Sequence, residues 1–591
     1  MGDLVIPNKA VHDVSSYKIL VNDAAVDASY QVLAITTSKE IGRIPFAVII
    51  FRDGEAAAKD FTLSNEEVFM PGNKIRIDIG RDGNNATAFK GIVTRHAIKV
   101  RENGHTELHI ECRDEAVRMT IGRQNRYYEN LKDSQLFDEL VGRYQGLKAD
   151  SAETRLKHDE LVQHHISDWD FLLLRAEANG LLVNVNDGKI GIAKPDTSTS
   201  PVLDLTYGSS LLEFEAEMDA RYQWKNVKAS SWDYANQQLF QAEVSESSNF
   251  KQHGNISGST LSDAIKLSNY EMRHSGHALE QELQDWADGA MLRSRLGKIR
   301  GRAKFTGFSG IKPGDMVNLD GVGKRFKGNA FVSAVKHEIG NGIWDTHIQF
   351  GLDPEQYGIT RKDLQDLPAA GLMGGVNGLQ IGVVVQLEND PNGEDRIRVK
   401  LPLIDKNAQG IWTRIASLDA GDQRGAFFRP ELGDEVIVGF INDDPRDAVV
   451  LGMLNSSAKP APITAKDTNH EKGFTTRSKM HFYFNDDTKT IKIDTPAGNS
   501  IILDEQGTKI EIKDQNSNKI TMDTSGIKIE SQKNIEIRAG VNLTLSAGAS
   551  LSIGGASLGV KADGNLSLEG ALAKLSASGI TEIKGSMVKI N

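Results

Sequence analysis

The chain has 591 residues, 25% of them charged and 39% hydrophobic, with a formal net charge of -11. That composition excludes a disordered or collagen-like protein, and at roughly 150 residues per domain the length predicts about four domains. The acidic balance argues against a protein that lives by phosphate contacts. The single cysteine, Cys112, excludes an intrachain disulfide framework and any multi-cysteine metal site.

The first residues lack a basic segment followed by an apolar core, so a secretory signal is not expected. The most apolar short run, Phe46 to Phe51, is far below the ~20 residues of a membrane helix. A soluble protein made in the cytoplasm is the expectation, leaving the cell, if at all, by a route other than a signal peptide.

Up to about residue 365 the pattern is mixed, with more strand than helix. Alternating runs such as Lys74-Ile75-Arg76-Ile77-Asp78-Ile79 predict strands. Cys112 falls in one such run and reads as a small strand-core residue rather than a nucleophile. Helices are predicted over about Ser134 to Gln145, from an N-cap at Ser167 to before Gly180, and over about Leu279 to Leu296. Within the second, Trp169, Leu172, Leu173 and Ala176 share one face. Residues 1–366 therefore read as two β-barrel-like domains with helical inserts.

Residues 367–378 are Gly/Ala-rich and read as a linker. Five β-like runs follow over 379–455: LQIGVVVQL, DRIRVKLPL, IWTRIAS, GDEVIVGFI and AVVLGMLN. Five short strands in about 80 residues fit a small barrel of the OB type. Such barrels often bind oligonucleotides through aromatics among basic residues. Here Trp412, Phe427, Phe428 and Phe440 sit near Asp434, Glu435, Asp443 and Asp444, so they read as core and interface aromatics. A second linker or neck spans 456–474.

Over 475–591 the composition changes. No aromatic residue follows Phe484 and no proline follows Pro496. Apolar residues come in alternating pairs, among them Ile491/Ile493, Ile510/Ile512, Ile527/Ile529, Ile535/Ile537, Leu543/Leu545 and Leu551/Ile553, separated by turn formers such as Thr524-Ser525-Gly526. Period two inside a longer repeat means stacked short strands. One chain of them has too few residues to cover both sides of a core. Three identical chains wound together would bury the pairs on a narrow axis, with no room for aromatics; a single-chain β-solenoid or stalk is the alternative. About a dozen strands at about 4.8 Å make an object on the order of 60 Å long.

Three stretches carry a family resemblance. They are Ser167-Asp168-Trp169-Asp170-Phe171-Leu172 with Arg175, Glu177 and Gly180; Phe428-Arg429-Pro430-Glu431-Leu432-Gly433-Asp434-Glu435-Val436 continuing through Asn442-Asp443-Asp444-Pro445-Arg446 to Leu451-Gly452; and Thr475 to Lys479 with Phe484-Asn485-Asp486-Asp487 and Ile493 to Gly498. In their order the chain resembles the VgrG family of type VI secretion spikes, and more broadly the fused hub and spike of contractile phage tails and related injection particles. The resemblance implies a mainly β chain with some helix. It would comprise a baseplate-hub-like region, an OB-fold barrel and an intertwined triple-stranded β-helix needle formed by three chains.

It implies a homotrimer with Ile527, Ile529, Ile535, Ile537, Leu543, Leu545, Leu551 and Ile553 in its core. A conical PAAR-like tip protein would dock on Met587, Val588, Ile590 and Asn591. A hexameric tube protein and baseplate proteins would meet the hub. Effectors would ride non-covalently, and membranes would be met only by piercing. No nucleic acid, cofactor, metal or catalytic residue is expected. Such spikes can carry a wall-digesting domain between barrel and needle, but here only about twenty residues separate them, too few for an enzyme fold. The chain ends still in the strand repeat, so no trailing toxin is expected. The machine itself stays open between a secretion system, an extracellular particle and a phage tail, with a cell-wall hydrolase spike or an adhesin as the other readings.

Nucleotide-binding and zinc-protease motifs are absent from the sequence. His158, His164, His165, His274 and His277 read as surface histidines, and the acidic residues of the repeat as a solvated face.

Overall fold

Thirteen strands between Ser15 and Phe350 hydrogen-bond into one continuous sheet. In this computed structural model, Pro7 and residues 14–102, 105–246, 250–364 and 366–590 are described. The chain divides into two units, 1–452 and 453–591.

In the first unit the two expected barrel-like parts share a sheet. The join is the antiparallel pair Val32–Glu40 with Gly328–Gly340, where Ile35 faces Ile339. Each lobe keeps its own apolar core. One gathers Ile49, Phe51, Phe69, Ile77, Phe89 and Ile110; the other gathers Leu205, Phe305, Val317, Val332, Ile348 and Phe350. Alternation explains this: Phe46–Arg52 buries Ala47, Ile49 and Phe51 on one side, as period two requires.

Four longer helices are inserted. Helix α1 spans Asp133–Gly142, α2 Asp168–Ala178, α3 Gly258–Ile265 and α4 Glu280–Leu296. Ser167 caps α2, its Oγ accepting from the Asp170 N–H at 3.1 Å. The predicted face, Trp169, Leu172, Leu173 and Ala176, is buried. Helix α1 stops three residues short of the expected Gln145, and α3 had no sequence prediction.

Helices α2 and α4 approach through glycine. Gly180, just past α2, has a φ of +66°, and a Cβ built on Gly289 of α4 would lie 2.8 Å from the Gly180 Cα. A mid-helix glycine weakens a helix, so its presence in α4 fits the need for close approach. Gly289→Val is expected to destabilise the first unit by about 3 kcal/mol through overpacking against backbone. Urea unfolding reads this; an unchanged midpoint would mean that the helices do not meet here.

The linker over 367–378 is partly built into the first unit. Ala369 is buried, and the Val376 N–H donates to the Asp443 carbonyl at 2.8 Å. Beyond it Gln380–Gln386, Ile397–Lys400, Ile411–Ile415, Glu435–Phe440 and Ala448–Met453 close a five-stranded barrel. Val384, Ile397, Val399, Val436, Val438 and Val450 fill it. The Asp390 carboxylate holds the first turn, accepting from the backbone N–H groups of Asn392, Glu394 and Arg396 and from the Arg396 guanidinium at 2.6 Å. Arg396, first among these, holds that carboxyl well below the usual carboxylate range. No helix among the described residues is long and apolar enough to cross a membrane.

Candidate functional site

The second unit opens with seven antiparallel strands in sequence order, from Glu471–Thr475 to Gly526–Glu530. They pair within one chain. Over these strands each chain forms a meander of short turns. Each turn joins neighbours in register, so the apolar pairs line up in two columns. Phe482 faces Ile493, Ile493 faces Ile501, Ile501 faces Ile512, Ile512 faces Ile520, and Ile520 faces Ile529. Beside them run Phe484, Ile491, Leu503, Ile510, Met522 and Ile527. Directly paired residues share a face, so both columns lie on one side of the sheet. Lys492, Glu511, Thr521 and Lys528 lie on the other, where Lys519 reaches Glu511 at 2.8 Å.

One chain leaves the apolar side open. The isoleucines 493, 501, 512, 520, 529 and 535 line a groove of 560 Å³ edged by Asn499, Asn518 and Asn534. After Glu530 pairing ends. Among the described residues, 531–590 form no strand and no backbone–backbone hydrogen bond, and residues 532–590 are all exposed. Yet the apolar pairs continue. Ordering such a chain costs conformational entropy that no contact within the one chain returns, and its backbone groups need partners from outside it. Of the eight residues assigned to a trimer core, exposure runs from 54% at Ile535 to 71% at Ile527. Met587, Val588 and Ile590 are 76%, 49% and 86% exposed, and Asn591 lies outside the described residues.

The first unit holds a buried ionic cluster that periodicity did not reveal. Asp133, at the head of α1, accepts from Arg175 Nε and Nη2 of α2 at 2.7 and 2.8 Å and from Asn179 Nδ2 at 2.9 Å. His158 Nε2 lies 2.9 Å from the same carboxylate. Burial alone would raise this carboxyl. Hydrogen bonds from Arg175, then His158 and Asn179, outweigh it and hold the group well below the usual range. The available signal was Arg175, a charge beside an otherwise apolar helix face.

His158 is therefore buried, which corrects its reading as a surface histidine; burial follows from its place opposite Asp133. His164, His274 and His277 are exposed and His165 is half-buried. Cys112 is fully buried, and burial, then Glu111, pushes its thiol up, away from thiolate chemistry. On the barrel, Trp412 and Phe440 are half-buried while Phe427 and Phe428 are exposed, so the last two are not core residues of the single chain.

Residues 11–341 match the family model of the Alg8 N-terminal domain, and residues 380–454 match that of the type VI secretion system/phage-baseplate injector OB domain. The second match coincides with the closed barrel. A type VI secretion system spike protein, VgrG3 of Vibrio cholerae, is 30% identical over 117 residues, covering 18% of this chain and 11% of its own length. The chain thus spans about a tenth of that relative, 11%. Among solved structures, the 43 kDa tail protein of prophage MuSo2 from Shewanella oneidensis is similar over 57% of this chain and 98% of its own, at 10% identity and a TM-score of 0.44. The Francisella PdpA-VgrG complex is similar over 88% of this chain and 80% of its own, at 10% identity and a TM-score of 0.39. The Escherichia coli type VI secretion component c3393 is similar over 74% of this chain and all of its own, at 12% identity and a TM-score of 0.36. With the first model spanning more than half of the chain, this protein belongs to the Alg8 N-terminal domain family, and its closed barrel matches the injector OB domain of type VI secretion systems and phage baseplates.

Proposed function

We propose that this chain is the trimeric hub and spike at the tip of a contractile injection apparatus of the type VI class, with a mechanical rather than a catalytic role. The observation that carries the reading is the segment 531–590, rich in spaced apolar pairs yet wholly without backbone pairing in one chain. Two further copies would supply both missing strands and missing apolar cover. Such a needle would resist load kinetically, because no strand could leave without breaking contacts to its neighbours. Three hubs of two lobes each would offer a six-fold-like ring to a hexameric tube. Assembly would take place in the cytoplasm, and contraction would carry the spike, a tip protein and non-covalently held effectors through a target envelope.

Light scattering tests the first step. A trimer that survives dilution is expected; a stable monomer near 64.7 kDa would overturn the reading.

Met587, Val588 and Ile590 expose apolar side chains beside unpaired backbone, an invitation to edge pairing that a tip protein would satisfy. Removing 585–591 is expected to leave the trimer intact and to abolish co-purification with the tip protein. Retention of the tip with unchanged affinity would place its docking surface elsewhere.

A further inference from the structure

The apolar columns of the meander are nearly uniform along most of their length. From Ile491/Ile493 down, every level is a pair of aliphatic side chains of similar volume: Ile501/Leu503, Ile510/Ile512, Ile520/Met522, Ile527/Ile529. A slip of one residue would turn the apolar set to solvent, but a slide by a whole strand level leaves that face in place. If three such faces pack together, sliding one copy by whole strand levels sets aliphatic pair on aliphatic pair. Below the head of the needle the pattern says little about which slide is correct.

At the head it differs. Phe482 and Phe484 occupy the same two columns, directly above Ile493 and Ile491. Their ring centroids lie 4.9 Å apart at 47°, and the Phe474 ring follows at 6.4 Å from Phe482. Phe482 is 37% exposed on the side that the columns share. No aromatic residue occurs after Phe484, so a ring level cannot be matched anywhere below. A slipped copy would press rings against an aliphatic level and leave a void at its own. Interiors packed to crystal-like density tolerate neither.

We propose that the Phe482–Phe484 ring cluster is the register key by which three copies of this chain align. It rests on the trimer reading and adds to it a specific contact, ring level against ring level between copies. The meander, already paired within each chain, presents the key before the unpaired 531–590 segment has anything to wind upon.

Cross-linking in the full-length chain tests this. Leu551→Cys places one thiol per copy at an axial level far below the rings, and the native Cys112 is buried. In an aligned trimer, mild oxidation joins two copies through Cβ atoms within disulfide reach. Adding Phe482→Leu and Phe484→Leu keeps both columns apolar and removes the key. Scattering should still report a trimer, while the disulfide-linked fraction falls about threefold or more, because aligned and slipped packings become nearly equivalent. An undiminished linked fraction in an intact trimer would overturn the proposal. So would an equal fall on Ile510→Leu/Ile512→Leu, which alters an aliphatic level instead. Should the double variant fail to assemble, Phe484→Leu alone is read, with a partial fall expected and no fall counting against the key. A monomeric Leu551→Cys parent would instead overturn the trimer reading.

Discussion

Ile535→Asp is expected to block or greatly slow trimer formation, while Glu536→Ala leaves it unchanged. Ile535 lines the open groove together with Ile493, Ile501, Ile512, Ile520 and Ile529, and it lies near the start of the segment without pairing. If three copies close on that groove, the substitution buries three carboxylates near one axis. Each would lack a partner, at a penalty of several kcal/mol per ion, roughly the scale at which association fails outright. Glu536 alternates to the other side and pairs with Arg538. An exposed pair of that kind contributes little. The measurement is sedimentation or light scattering of both variants over a dilution series. Equal effects from the two would mean that the alternation has been assigned to the wrong faces.

Arg175→Met is expected to cost the first unit about 3–5 kcal/mol, because it strands the buried Asp133 carboxylate. Asp133 is 1% exposed and receives two of its hydrogen bonds from that guanidinium. The pH dependence has a definite sign. In the folded native protein the pKa of Asp133 is depressed. Its contribution is therefore fully present above the unfolded value of about 3.9 and is lost as pH falls below it. Without Arg175 the carboxylate loses the strongest of the hydrogen bonds that hold it ionised, so less of that contribution exists to be lost. The stability gap between native and variant protein should narrow as pH falls below about 4. Urea midpoints across pH 3 to 7, on the order of one reading per unit, decide it; a constant gap would mean that Asp133 is not the group involved.

Local pattern reached far into this fold. The five barrel strands were legible because each is a short alternating or apolar run bounded by turn chemistry, and small barrels are made of such runs. Helix α2 was legible because Ser167 caps it, Gly180 follows it and one face is apolar throughout. The strands of the meander were legible as pairs. Their partners were not: period two tells which residues share a face, and it is silent on whether the next strand belongs to the same chain. Turns of a few residues brought consecutive strands together first, over 471–530.

The sequence by itself determined the order of parts, the mainly β character and the presence of a face of aliphatic pairs that one chain cannot cover. Periodicity, capping residues and the loss of aromatics after Phe484 are local quantities, and local sterics and hydrophobicity suffice to read them. Only the tertiary structure decided that the two lobes of the first unit share one sheet through Ile35 and Ile339, that Asp133 meets Arg175 and His158, and that among the described residues pairing within the chain stops at Glu530. Each of these depends on contacts between residues distant in sequence, or on the lack of them, and no short-range pattern carries that information.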